Sequence, residues 1–200
     1  IIKIKMVYIH NWILKKNLKI KISDSKTLYD FKEFKKNFNY IVKLLIKKKF
    51  KKNEKILILS KNNANIFSLQ MAVSYLGGIS TIIDPEIKKN SLKYILNDFK
   101  PNHIFTDKPD IVKKFFFKNK IFDIQKLINK KYNKLIKADI DRTPNDTVII
   151  IYTSGSTGRA KGIMCAHKNI IFATKSIMNS LNFKKEKIGL FLPVSFDYGL

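Results

Sequence analysis

Between Leu18 and Tyr152 short apolar runs that suit strands alternate with longer segments of helical periodicity, and this alternation constrains the fold more than any other feature. Leu18–Ser23 (LKIKIS) alternates Lys with apolar residues at period two, as a half-buried strand does, and SDSK after it supplies turn chemistry. From Leu28 to Phe50 the positions Phe31, Phe34, Phe38, Ile41, Val42, Leu45 and Ile46 recur at three- and four-residue spacing, which predicts a helix with one buried face. KILILS at 55–60 reads as a buried strand. NNAN then opens a second amphipathic helix through Ile66, Leu69, Ala72, Val73 and Leu76, and Gly77–Gly78 stop it with a left-handed cap. ISTIID, ended by Pro85, is the next strand; Leu92, Ile95, Leu96 and Phe99 mark a third helix, and HIFTD at 103–107 a further strand. Such an order predicts an α/β fold, a mostly parallel sheet flanked by helices.

Residues 108–146 carry weaker signals. FFFKNKIFDI suits a strand entering a short helix, and NKKYNKLIKADIDRTPND reads as a solvated connection. TVIIIY at 147–152 is β-branched and apolar, the strongest strand in the chain, and it runs directly into a Gly/Ser/Thr loop.

That loop carries the chemistry. Thr153, Ser154, Gly155, Ser156, Thr157, Gly158, Arg159, Ala160, Lys161 and Gly162 place four hydroxyls, three glycines and two cations within ten residues. Glycines let backbone N–H groups turn towards one anion, hydroxyls add donors, and Lys161 brings a point charge suited to a phosphate. A plain flexible surface loop has the same composition. Spacing excludes two other motifs: a Walker loop needs Gly before its Lys and Ser or Thr after it, whereas Ala160 and Gly162 flank Lys161. A nucleophile elbow needs Gly two residues to either side of its serine, and Ser154 occupies one of those places relative to Ser156.

YTSGSTGRAKG closely resembles the signature phosphate loop of the superfamily that contains acyl-CoA synthetases, luciferases and the adenylation domains of nonribosomal peptide synthetases. Ala160 stands where the family usually has proline, and His167 with Asn169 falls where it commonly has His-x-Asn. SKTLYDFKEF, KILILSKNNANIFSLQMAVSYLGGISTIIDP and FLPVSFDYG are similar to further family segments, in family order. The resemblance implies that residues 1–200 form an incomplete N-terminal AMP-binding domain, inactive alone, with the rest of the site and a mobile C-terminal domain beyond Leu200. It implies ATP-dependent activation of a carboxylate to an acyl-adenylate with release of pyrophosphate, ATP and Mg²⁺ as cofactors, and CoA or a carrier-protein phosphopantetheine as thiol acceptor. Thr153, Ser154, Gly155, Ser156, Thr157, Gly158 and Lys161 are then the nucleotide-binding residues, and Lys161 stabilises charge on the phosphates. For His167, a substrate-side role and a structural one stand equal.

Phe196 and Asp197 match a Phe-Asp pair of amino-acid-activating members, whose carboxylate meets the substrate ammonium; other acyl ligases also resemble SFDYG, and Asp197 equally suits a turn. An amino-acid adenylation domain is therefore the alternative within the family. Outside it stands a basic nucleic-acid-binding module, suggested by a net charge of +25. Of the 40 basic residues, however, only Arg142 and Arg159 are arginine, the type suited to bidentate phosphate and guanine contacts. The Lys excess accompanies excess Ile and Asn, which points to compositional drift and to no specific nucleic-acid partner. Cys165 is the lone cysteine, which excludes an intrachain disulfide, fits a reducing cytoplasm and, in its apolar stretch, suits a packed, inert thiol. No apolar run approaches the roughly 18 residues of a membrane span. His10 and His103 have no partner pattern and read as structural.

Overall fold

The computed structural model describes residues 8–14, 21–25, 28–115, 120–127, 130–154, 160–182 and 187–195. Strands β1 (Lys21–Ser23) and β2 (Leu28–Asp30) form a small antiparallel ribbon with Ile22 opposite Tyr29. Helix α1 spans Phe31–Lys47, shorter than the periodicity predicts. Its first three expected residues are taken by β2, and Asp30 separates the two elements by accepting the Glu33 N–H at 2.7 Å, an N-cap. Phe31, Phe34, Phe38, Ile41, Val42 and Leu45 are buried as expected, while Ile46 is exposed.

The chain then builds a six-stranded sheet. β3 (Lys55–Leu59) leads to α2 (Ala64–Tyr75), β4 (Ile79–Ile83), α3 (Lys89–Phe99), β5 (His103–Thr106), the single turn α4 (Pro109–Val112) and β6 (Ile121–Asp123). β7 (Thr147–Ser154), β8 (Ala160–Ala166) and α5 (His167–Ser180) complete the described strands and α-helices. Spatial order is β6-β5-β3-β4-β7-β8, parallel throughout except for the β7–β8 hairpin.

Both faces of the parallel part are covered. Ile56 and Ile58 join α1 and α2 in one apolar cluster, whereas Leu57 and Leu59, alternating with them, join Leu92, Ile95, Leu96 and Phe99 of α3 in another. α2 lies inside its layer and is buried on every side, so the amphipathic helix expected there is replaced by an apolar one packed all round. It ends as predicted. Gly77 takes φ +69°, and Gly78 N–H reaches Val73 O at 2.9 Å in a Schellman closure.

Residues 130–146 differ from the solvated connection the sequence suggests, because they are fastened to the helical layer. Tyr132 N–H donates to Lys36 O at 3.0 Å, Asn37 Nδ2 donates to Leu127 O and Lys130 O, and Tyr75 Oη both donates to Ile136 O and accepts from Ala138 N–H. Leu135, Ile136 and Ala138 pack on the core. Among the described residues no helix is long and apolar enough to cross a membrane.

Candidate functional site

The chain leaves β3 for α2 on one face of the sheet and leaves β4 for α3 on the other. This reversal opens a crevice beyond the C-terminal ends of the strands, where open α/β sheets bind ligands. Among the described residues, two adjoining clefts at this edge share lining residues. One of ≈ 330 Å³ is lined by Ser60, Lys61, Asn62, Asp84, Phe191, Pro193 and Ser195. The other, ≈ 400 Å³, lies between β4 and the hairpin and includes Asp84, Glu86, Tyr152, Thr153, Ala160 and Ser195. Asp84 and Ser195 therefore border both. Ser195 Oγ is buried and has no hydrogen-bond partner among the described residues.

Asn62 positions this edge: its Nδ2 donates to Leu192 O at 2.8 Å and its Oδ1 accepts from Val194 N–H at 2.9 Å, so one amide holds the segment that carries Ser195. NNAN in the sequence predicts only helix initiation, which Asn63 performs by accepting from Asn65 N–H. Lys61 and Glu86 pair at the cleft mouth, and each carries the other's expected shift, Lys61 upward and Glu86 downward, chiefly through their shared hydrogen bond.

The Gly/Ser/Thr loop joins two antiparallel strands rather than a strand and a helix. Thr153 lies opposite Lys161, and Ser154 opposite Ala160. Thr153 is half-buried at the 400 Å³ cleft, and Lys161 is exposed with no ion pair among the described residues. Of the other loop positions, Gly155, Ser156, Thr157 and Gly158 lie outside the described residues, as do Phe196, Asp197 and the side chain of Ser154. Tyr152 Oη donates to Asp98 Oδ2 on α3 at 2.5 Å, a link between residues 54 apart that no local motif announces. Burial first, then this bond, pushes the Tyr152 hydroxyl well above the ordinary phenol range.

His167 sits at the other end of β8, about 20 Å from the loop at the rise of a strand. Its ring is buried, and Nδ1 accepts the Ile9 N–H at 3.3 Å. Beside it His10 is also buried. Arg142 Nη1 meets His10 Nε2 at 2.9 Å; because guanidinium only donates, Nε2 accepts and Nδ1–H faces Ser74 Oγ at 2.7 Å. Burial, with the Arg142 charge as second cause, holds His10 at a pKa of about 3 and His167 at about 4, so both are neutral near pH 7. His103 is half-buried beside Glu54, and desolvation lowers its pKa too. Cys165 is partly buried against the core, with its thiol pushed up by burial and hence protonated.

A mostly parallel α/β sheet with clefts beyond the carboxyl ends of its strands defines the open α/β class of domain, whose members bind ligands at that edge. Within that class, the sequence model of the family described as AMP-binding enzyme matches residues 11–200, and the chain belongs to this family of adenylate-forming ligases. Gramicidin S synthase 1 of Brevibacillus brevis is 30% identical over 162 residues, which are 80% of this chain and 15% of that protein. Two solved structures share the fold. VinN in complex with 3-methylaspartate superposes with a TM-score of 0.81 at 20% identity, covering 98% of this chain and 57% of VinN. ATP-bound MatB from Rhodopseudomonas palustris gives 0.82 at 16% identity, covering 98% of this chain and 42% of MatB. The chain thus spans a small part of its curated relative and about half of these structures.

Proposed function

We propose that the protein carrying this chain activates a carboxylic acid with ATP, forming an acyl-adenylate and pyrophosphate, and passes the acyl group to the thiol of CoA or of a carrier-protein phosphopantetheine. The observation that carries this reading is the placement of Thr153 beside Lys161 at the carboxyl edge of the parallel sheet, next to the 400 Å³ cleft, in a chain of the AMP-binding family. ATP-bound MatB supports the nucleotide as co-substrate.

A substrate carboxylate oxygen attacks the α-phosphorus, the bond from that phosphorus to the bridging oxygen breaks, and negative charge collects on pyrophosphate. Lys161 and the Thr153 hydroxyl, with Ser154, Ser156 and Thr157, stabilise that charge, and Gly155 and Gly158 free backbone N–H groups to join them. No protein nucleophile is needed. Mg²⁺, when bound, adds neutralising charge on the phosphates; among the described residues no three His, Cys, Asp or Glu side chains converge to hold it. His167 serves as a fixed point of the fold rather than as acid or base, given its burial, its bond from Ile9 N–H and its distance from Thr153.

An amino acid is the favoured carboxylate. Phe196–Asp197 supplies a carboxylate for an ammonium group, and the relationship to gramicidin S synthase 1 and the likeness to VinN with 3-methylaspartate support the same class. Trapping acyl-adenylates with hydroxylamine across a panel of amino acids and of acids lacking an amine tests this. Amino-acid hydroxamates are expected. Product only from acids lacking an amine, with CoA consumed, makes the protein an acyl-CoA ligase, and product from none overturns the proposal.

A further inference from the structure

β7 pairs in register with β4 at Ser80 and Ile149, five residues before it ends. Among the described residues, positions 150–154 continue as a two-stranded ribbon with β8, and the 400 Å³ cleft occupies the gap between that ribbon and the end of β4. The ribbon runs alongside β4, but its end, with Thr153 and Lys161, extends past Ile83, the last residue of β4, so the sheet ladder does not hold that end.

α3 crosses this gap. Ser91 and Ile95 line the cleft, and one turn further Asp98 accepts the Tyr152 hydroxyl. Tyr152 lies directly opposite Gly162, and a Cβ built at Gly162 would stand 3.2 Å from Tyr152 Cζ and 2.9 Å from Ile150 Cγ2. Only a glycine therefore lets the phenol ring lie across β8 towards α3 without displacement. Ile150, Tyr152 and Ala160 pack on the α3-side cluster, which fixes the ring between apolar contacts and one charge-assisted bond.

We propose that Tyr152 is a positioning residue: held by Asp98 and seated over Gly162, it ties the free end of the β7–β8 ribbon to α3 and so sets where Thr153 and Lys161 stand relative to the cleft. The inference rests on the reading of those two residues as phosphate donors. Removing the hydroxyl leaves the ribbon its ladder and its packing but releases its lateral anchor, and a displacement of the order of an ångström at a charge-stabilising group costs much of the rate.

The test uses the intact protein, read by carboxylate-dependent exchange of pyrophosphate into ATP and by hydrogen exchange. Y152F and D98A should each lower the exchange rate about ten- to a hundredfold and raise KM for MgATP, with KM for the carboxylate unchanged. The double variant should be no worse than either single one, and D98N, whose amide oxygen still accepts, should restore most of the activity. In Y152F the amides of residues 151–153 and 160–163 should exchange faster while those of β3 and α2 keep their protection. Wild-type kinetics and protection in Y152F overturn the anchor, as does uniform loss of protection with both KM values unchanged, the mark of a merely structural tyrosine. If the unsubstituted protein shows no pyrophosphate exchange, the adenylation reading falls; selective deprotection of the ribbon then upholds the anchor and unchanged protection removes it.

Discussion

Acid should unfold this protein through two histidines. His10 and His167 are buried at 2% exposure, with pKa values of about 3 and about 4 in the folded state against 6.5 ordinarily. In the unfolded chain both imidazoles take up a proton as pH falls through 6.5, whereas the folded protein resists until pH 4 and below. The unfolded state therefore binds more protons over that window, and stability is lost as pH falls. Between pH 7 and pH 5 each site removes about 2 kcal/mol, a large share of the roughly 5–15 kcal/mol that holds a domain folded. His103, also lowered, acts in the same direction. Urea titrations at the two pH values check this. His10→Gln, which offers an amide to Arg142 and Ser74 but does not titrate, should lower stability at pH 7 yet shrink the pH difference by about 2 kcal/mol. A wild-type protein equally stable at pH 5 and pH 7, or a His10→Gln variant with the full pH dependence, would refute the reasoning.

Gly77→Ala should cost about 1–2 kcal/mol, because φ +69° suits glycine and the new Cβ would stand 2.8 Å from Ile140 Cγ2; an unchanged urea midpoint would contradict this. Filter binding should find nucleic acid held weakly, without sequence preference and released by moderate salt, whereas a sequence-selective complex at physiological salt would revive the basic-module alternative. Asp197→Ala should abolish hydroxamate formation from amino acids and leave the melting temperature unchanged. Lost stability with intact substrate preference would make Asp197 a turn residue.

The central sheet was legible because β3, β4 and β5 are short apolar runs separated by helices with clear periodicity, and because Gly77–Gly78 mark one boundary without ambiguity. Leu28–Asp30 fits the helical period as well as a strand's; pairing with Lys21–Ser23 decides for the strand, and that is a tertiary effect. Residues 130–146 looked solvated by their Lys and Asn content, yet their anchors are Asn37 and Tyr75, far away in the chain. β8 gave little signal because its outward residues, Ile163 and Met164 among them, are exposed apolar side chains that break the usual alternation. In the site, Thr153 and Lys161 were visible as a loop composition, but their facing each other across a hairpin was not. The Asp98–Tyr152 bond, the Asn62 clasp on Leu192 and Val194, and the His10–Arg142–Ser74 cluster join residues 54 to 132 positions apart, apart from any spacing rule.

Carboxylate-dependent exchange of labelled pyrophosphate into ATP by the intact protein and by its Lys161→Ala variant tests the adenylation reading most directly. The unsubstituted protein should exchange, and Lys161→Ala should do so about ten- to a thousandfold more slowly, the scale of losing one preorganised donor to the departing phosphates. Exchange by both at one rate would remove Lys161 from the chemistry, and exchange by neither with any carboxylate would contradict the proposed activity.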